Sequence, residues 1–341
     1  MPYVSNINIY DETFHFDLIN KDGNIKTSLV NAIRRTIISD IPVYAISFDN
    51  TKFYQNNSIL DNEFLKKRLS LIPIICSNDL NYDNIVISCT KTNEGELMES
   101  VYVSDFVCKD DDTIIDNSDL FQHNNLLFSK LKNDQTISFE AKLEKNSAYH
   151  KGSFFCPVAA CVYTFQVDNK AVKEITKDMN EEDERKFKTQ DIERVYEKNN
   201  INEPLVYNFS FESIGFYEPM EIILLSIDLL ISKLELLKDE ITNKKSKKIK
   251  IQENFENPDL YDFFIDGESE TIGNLLSTYL TYEENIFYAG FLIEHPLKKN
   301  ILLRIKLIED NTIDNNIAKI VSVIDKLMSI FSQIKKEFEQ A

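Results

Sequence analysis

The chain has 341 residues, of which 43% are hydrophobic and 28% charged. That composition excludes a disordered chain and leaves room for two or three globular domains. The formal net charge of −18 and a pI of about 4.8 repel phosphates and argue against wrapping of nucleic acid by the molecule as a whole.

In chain order, Ile7–Leu18 alternates loosely and predicts a strand. In Ile25–Pro42 the apolar residues Ile25, Leu29, Ile33 and Ile37 fall four apart, the spacing of one face of an amphipathic helix. Its other face carries Arg34 and Arg35. Val43–Tyr54 reads as a second strand. Asp61 is placed to cap a short helix with Phe64, Leu65 and Leu69 inward and Lys66, Lys67 and Arg68 outward. From about 76 to 150, short β-like runs alternate with acidic turns, which predicts an inserted β-rich region. Gly152–Phe165 returns to dense strand character, and Asp178–Asn200 is polar enough for a solvated helix or a loop. Phe209–Gly215 reads as a strand, and Pro219 opens a long helix to about Ile241. Thr242–Lys248 lacks apolar residues and is the best linker candidate. After it the order is strand, helix, strand, strand, helix, the last helix being Ile313–Phe338.

Two stretches echo each other. Setting Asn31 on Asn274 places Ser28 on Thr271, Leu29 on Ile272, Ile33 on Leu276 and Ile37 on Leu280. Each stretch lies between strand-like runs, with Val43–Tyr54 matched to Ile286–Ile293, and each half ends in a long apolar helix. Internal similarity of this kind points to two copies of one unit that pack together.

Motifs for chemistry are few. No GxxxxGK[ST], GxGxxG, GxSxG or HExxH pattern occurs, and seven glycines leave little for phosphate-cradling loops. The paired acids lie in polar runs and read as solvated surface. His295, before Pro296, reads as a structural turn residue. Five cysteines at irregular spacing fit reduced thiols in an intracellular protein, and Cys156 and Cys161 in an apolar run read as small core residues. No run of 18 apolar residues occurs, and Met220–Leu237, the nearest, carries Glu221, Asp228, Lys233 and Glu235, so no membrane span is expected. The N-terminus has neither the basic nor the apolar region of a secretory signal.

Four blocks carry a resemblance. They are Asn31-Ala32-Ile33-Arg34-Arg35 with Asp40-Ile41-Pro42; Asn57–Pro73; Gly152–Phe165 with Phe211–Gly215; and Glu270–Leu280 with Ala289–Leu297. The first three resemble the third subunit of eukaryotic RNA polymerase II, the archaeal D subunit and, more distantly, the bacterial alpha subunit. The fourth resembles the eleventh subunit of RNA polymerase II and the archaeal L subunit. Both in one polypeptide resemble the fused subunit of large DNA viruses. The resemblance implies an α+β fold of two alpha-subunit-like dimerisation units in an intramolecular pseudo-dimer, with a mostly β subdomain inserted in the first. The expected boundaries are 1–50 with 153–241, an insert at 51–152, a linker at 242–248 and a second unit at 249–341.

The resemblance further implies a non-catalytic assembly scaffold of a DNA-directed RNA polymerase. Its partners would be two large subunits and the small polymerase subunits, with little or no nucleic-acid contact and no membrane. It would be intracellular, in virion and host cytoplasm if the source is viral. Asn31, Arg34, Arg35, Lys67 and Arg68 are the candidates for the partner interface. Ile33, Ile37, Leu275, Leu276, Leu280, Ile324 and Phe331 are the candidates for packing between the halves. Some relatives hold zinc or an iron–sulfur cluster through clustered cysteines. Here Cys76, Cys89 and Cys108 lie far apart with no CxxC pair, so neither cofactor is expected. A further departure is Lys67-Arg68-Leu69-Ser70 where the family has His-Arg-Leu-Gly. The alternative function is a self-associating acidic interaction protein outside transcription. A carboxylate or thiol hydrolase has no motif to support it.

Overall fold

The computed structural model describes residues 2–10, 12–77, 80–111, 113–243, 248–254, 257–295 and 298–340. Four residues of the expected linker, 244–247, and Pro296 and Leu297 of the fourth sequence block lie outside them.

The N-terminal run is a hairpin and not one strand: β1 (Val4–Tyr10) pairs antiparallel with β2 (Thr13–Ile19). Glu12 lies in the turn, and Phe14, Phe16 and Leu18 alternate into the core from β2. Helix α1 (Thr27–Ser39) follows.

The chain then enters the insert. Its elements are β3 (Val43–Ile46), β4 (Lys52–Asn56), α2 (Asn62–Ser70), β5 (Ile85–Thr92), β6 (Glu99–Tyr102), β7 (Val107–Asp110), β8 (Thr113–Ile115), α3 (Asn117–Leu120), β9 (Leu127–Leu131), β10 (Thr136–Asn146) and α4 (Ala148–Lys151). β10 is the spine of this sheet: β5 pairs along one edge, β3 and β4 along the other, and β7 and β8 extend the β5 side. The rings of Phe106, Phe128 and Phe139 meet edge-on at 5.3–5.5 Å between centroids, a favoured aromatic geometry. The expected strand Val43–Tyr54 is thus two strands of the insert, split where Thr51 Oγ1 donates to Ser47 O at 2.6 Å. Asp61 caps α2 as expected, accepting from Phe64 N. Phe64, however, is 48% exposed, because it lies off the face on which Leu65 and Leu69 are buried.

The first half resumes with β11 (Val158–Phe165), α5 (Asn169–Thr176), α6 (Glu181–Gln190), β12 (Val206–Ser213) and α7 (Pro219–Thr242). The apolar run from Gly152 becomes strand only at Val158, and α6 buries no residue, as its charges require. The last part carries a strand beyond the expected order. It runs β13 (Ile249–Glu253), β14 (Tyr261–Asp266), α8 (Glu270–Thr281), β15 (Ile286–Leu292), β16 (Asn300–Leu307) and α9 (Ile313–Glu339).

Sheet order makes the repeat plain. The first half is β1-β2-β12-β11 and the second β13-β14-β16-β15, with α1 matching α8 and α7 matching α9. Leaving aside the insert and the helices α5 and α6, each half is therefore β-β-α-β-β-α. The counterpart of β15 is β11, not Val43–Tyr54 as the sequence pattern suggests, because the insert separates α1 from β11.

The chain forms two compact units: Met1–Thr36, Cys161–Phe211 and Ile223–Ala341; and Ile37–Ala160 with Glu212–Ile222. The first unit holds the hairpin, most of the first four-stranded sheet, all of the second and the last helix together. Residues 249–341 thus do not stand apart as a unit, and the second unit reaches beyond 51–152 on both sides. Within the first unit the halves exchange contacts. Glu337 of α9 accepts from Tyr3 N and Val4 N at 2.6 and 2.8 Å, and the Phe338 ring meets Phe16 at 5.0 Å. Burial of a phenylalanine of this kind contributes about 1.5–3 kcal/mol. Lys238 of α7 pairs with Asp325 of α9, and Asp228 with Lys335, each at 2.6 Å, so these helices run antiparallel. The fold is an α+β intramolecular pseudo-dimer.

Candidate partner interface

Helix α1 buries Leu29, Val30, Ala32, Ile33, Thr36 and Ile37. Under the Asn31/Asn274 correspondence these meet Ile272, Gly273, Leu275, Leu276, Tyr279 and Leu280 of α8, every one of them buried. Apart from Ser28 and Ser277, which are buried without a buried counterpart, the two helices share one burial pattern because they hold the same place in two copies of a fold. Among the expected packing residues, Ile324 and Phe331 are fully buried on α9.

Polar contacts fix the crossing of α1 and α8. Arg35 Nε donates to Thr271 Oγ1 at 2.8 Å, and its Nη2 lies 2.5 Å from Glu270 Oε1. At the other end, the Tyr279 hydroxyl donates to Asn24 O at 2.5 Å and accepts from Lys26 N at 3.3 Å. The end of α1 thus meets the start of α8, and the start of α1 meets the end of α8. Burial pushes the Tyr279 hydroxyl far above its ordinary pKa, so it stays a donor.

Beside this contact lies a buried ion pair. Lys26 Nζ is 2.6 Å from Glu203 Oε1, with the side chains 8% and 16% exposed, and it sits 3.6 Å above the Tyr282 ring. The Tyr282 hydroxyl also hydrogen-bonds Glu203, which together with burial raises its pKa. A buried pair with satisfied hydrogen bonds is tolerable; removing one partner strands the other charge.

Of the expected interface residues, the structure gives Arg35 to the joint between the halves. Arg34 donates Nε to Asn31 Oδ1 at 3.0 Å and makes no ion pair among the described residues. Arg68 is turned to its own unit, with Nε on Phe128 O at 2.9 Å and Nη2 on Leu127 O at 2.6 Å. Lys67 is exposed. Asn31, Arg34 and Lys67 therefore remain as outward candidates. Sequence reasoning missed Lys26, Glu203, Tyr279 and Glu270. Glu270 meets Arg35 only because the two helices pack antiparallel, which the echo in the sequence does not reveal.

Among the described residues no three of His, Cys, Asp and Glu come together as a metal site. Cys89 and Cys108 lie on the buried face of β5 and β7, where burial pushes their thiols up to about 11 and about 12. A thiol so placed resists the deprotonation that metal binding needs.

Comparison with known proteins agrees with the topology. Residues 23–234 and, separately, 261–337 match models described as the RNA polymerase Rpb3/Rpb11 dimerisation domain. The DNA-directed RNA polymerase subunit Rpo3 of Thermococcus kodakarensis is 29% identical over 125 residues, 35% of this chain and 44% of that one. Rpo3 of Methanocaldococcus jannaschii is 44% identical over 78 residues, 23% of this chain and 38% of that one. The DNA-directed RNA polymerases IV and V subunit 3B of Arabidopsis thaliana is 25% identical over 192 residues, 49% of this chain and 58% of that one. The chain spans less than two thirds of the length of each of these relatives. With both halves matched and the same β-β-α-β-β-α order in each, the chain belongs to the RNA polymerase Rpb3/Rpb11 dimerisation-domain family, as an alpha-like RNA polymerase subunit.

Proposed function

We propose that this protein is the non-catalytic assembly scaffold of a multisubunit DNA-directed RNA polymerase, nucleating association of the two large subunits. The observation that carries the proposal is the joining of two dimerisation folds within one chain. The halves already share their packing through α1, α8, α7 and α9, so the chain needs no second subunit to complete the dimer. Joined covalently, the halves meet at a high effective concentration. Binding energy is then left for outward residues, of which Asn31, Arg34 and Lys67 are the candidates. The proposal includes the small polymerase subunits as further partners and no zinc or iron–sulfur cluster. The charge of −18 supports little direct contact with nucleic acid. No described helix is long and apolar enough to cross a membrane. A large DNA virus as the source, with the protein in virion and host cytoplasm, belongs to the proposal and is supported by the fusion of the halves.

Co-expression with the two largest subunits of the polymerase from the same source tests it. The expected result is one stable complex holding one copy of this chain and no assembly of the large subunits when it is left out. Large subunits that assemble equally well without it refute the scaffold role.

A further inference from the structure

At one end of the α1/α8 crossing, Arg35 bridges the two helices, held by Thr271 Oγ1 and the Glu270 carboxylate. The repeat puts Thr278 in the place of Arg35, Ser28 in the place of Thr271 and Thr27 in the place of Glu270. Thr278 is too short to do at the second end what Arg35 does at the first. A cleft of about 360 Å³ opens there, and Thr27, Ser28, Asn31, Asn274 and Thr278 line it. Ser28 is only 8% exposed, yet its Oγ has no hydrogen-bond partner among the described residues, whereas Thr271 Oγ1 has Arg35.

The electrostatics of the two ends differ in the same sense. Helix α8 has Glu270 in its first turn, and α1 has no acid there. The first internal bonds of α1 run from Leu29 N and Val30 N to Lys26 O, which leaves the N–H groups of Thr27 and Ser28 at the positive end of the helix dipole. The charged groups lining the cleft are Lys26 and Glu203, and these neutralise each other at 2.6 Å. Arg34 does not line the cleft itself but donates Nε to the lining residue Asn31 at 3.0 Å, and it has no carboxylate among the described residues. The balance at the cleft is positive, in a chain that is acidic overall.

We propose that this cleft receives an aspartate or glutamate side chain of a partner polymerase subunit, which takes at α1 the place that Glu270 takes at α8. The carboxylate accepts from the Ser28 hydroxyl and the first-turn N–H groups and pairs with Arg34, all of which donate. A basic side chain is a poor occupant, because Glu203 is already engaged by Lys26, Asn20 and Tyr282. The proposal rests on the scaffold reading above and names the chemistry that the scaffold would recognise.

Two variants test it, each measured for thermal melting and for affinity toward the complex of the two largest subunits. Thr27→Glu supplies the missing acid from within the chain, so it blocks the cleft. It also breaks the bond to Tyr207, at 3.0 Å, so a second variant is needed. Ser28→Ala removes no side-chain hydrogen bond and guards against misfolding. The expected result is a loss of affinity of about tenfold or more for Thr27→Glu and about threefold for Ser28→Ala, with the melt of Ser28→Ala unchanged or higher. Unchanged affinity for both overturns this proposal and leaves the scaffold reading standing. A wild-type chain that binds neither large subunit overturns both. Inorganic phosphate is the control for a free anion. If it raises the wild-type melt but not that of Thr27→Glu, while subunit affinity is the same for both, the cleft is a small-ion site and the proposal is wrong.

Discussion

Arg34→Ala and Arg35→Ala, made separately, should divide stability from partner binding, although the two residues are neighbours on one helix. Arg35 ties α1 to α8 through an ion pair whose side chains are 36% and 49% exposed. Solvent screening limits such a pair to about 0–1 kcal/mol. The hydrogen bond to Thr271 Oγ1 adds about 1 kcal/mol more. Losing both should cost about 1–2 kcal/mol, and at roughly 2.1 cal/mol/K of unfolding entropy per residue the melt should fall by about 2 °C. Arg34 makes one bond within its own helix, to Asn31, where such pairs contribute about 0.2–0.5 kcal/mol. Its removal should leave the melt almost unchanged. Binding to the large subunits should respond in the opposite order. Truncating one member of a desolvated interface pair costs about 2–5 kcal/mol, so Arg34→Ala should weaken assembly more than tenfold, and Arg35→Ala far less. Differential scanning fluorimetry beside a quantitative pull-down reads both effects. A lower melt for Arg34→Ala than for Arg35→Ala, or equal affinity for Arg34→Ala and wild type, would refute the division of roles.

Tyr279→Phe should destabilise the chain by about 1–3 kcal/mol in urea unfolding, because it leaves Asn24 O and Lys26 N without their shared partner in a buried place; an unchanged midpoint would show that the hydroxyl does not join the halves. Asp262, 3% exposed, accepts two bonds from Arg304 at 2.6 and 2.8 Å. Burial alone would raise its pKa, but the hydrogen bonds from Arg304 and Asn254 outweigh burial and lower it. A carboxyl with a lowered folded pKa contributes stability above its unfolded pKa of about 3.9, and that contribution fades as the pH falls through the folded value. Asp262→Asn should therefore cost about 3 kcal/mol at pH 7 and progressively less in acid, and an equal loss at pH 7 and pH 2.5 would count against the pairing. Elemental analysis of the purified chain should give well under one zinc per chain, and a chelator should leave the melt where it was; zinc in whole-number ratio would overturn the argument from Cys89 and Cys108.

The helix at 25–42, the two long helices and the acidic, β-textured insert were legible in the sequence because each depends on short-range periodicity. An apolar residue every three or four positions can be buried only as a helix face, whatever lies elsewhere in the chain. The repeat was legible for the same reason, since Asn31 and Asn274 stand in matching local patterns. Strand partners were not. Val43–Tyr54 follows α1 as Ile286–Ile293 follows α8, and alternation cannot tell which sheet a strand will join; the pairing of β3 and β4 with β10 decided it. Nor did the sequence separate Arg34 from Arg35. The two are neighbours on one helix, and only the approach of Thr271 on α8, 236 residues further on, makes one a tie between the halves and leaves the other outward. The cleft at Ser28 is a product of tertiary structure in the same way. Thr278 stands there where Arg35 ties the helices at the opposite end, a comparison that has meaning only once the two helices are known to cross antiparallel.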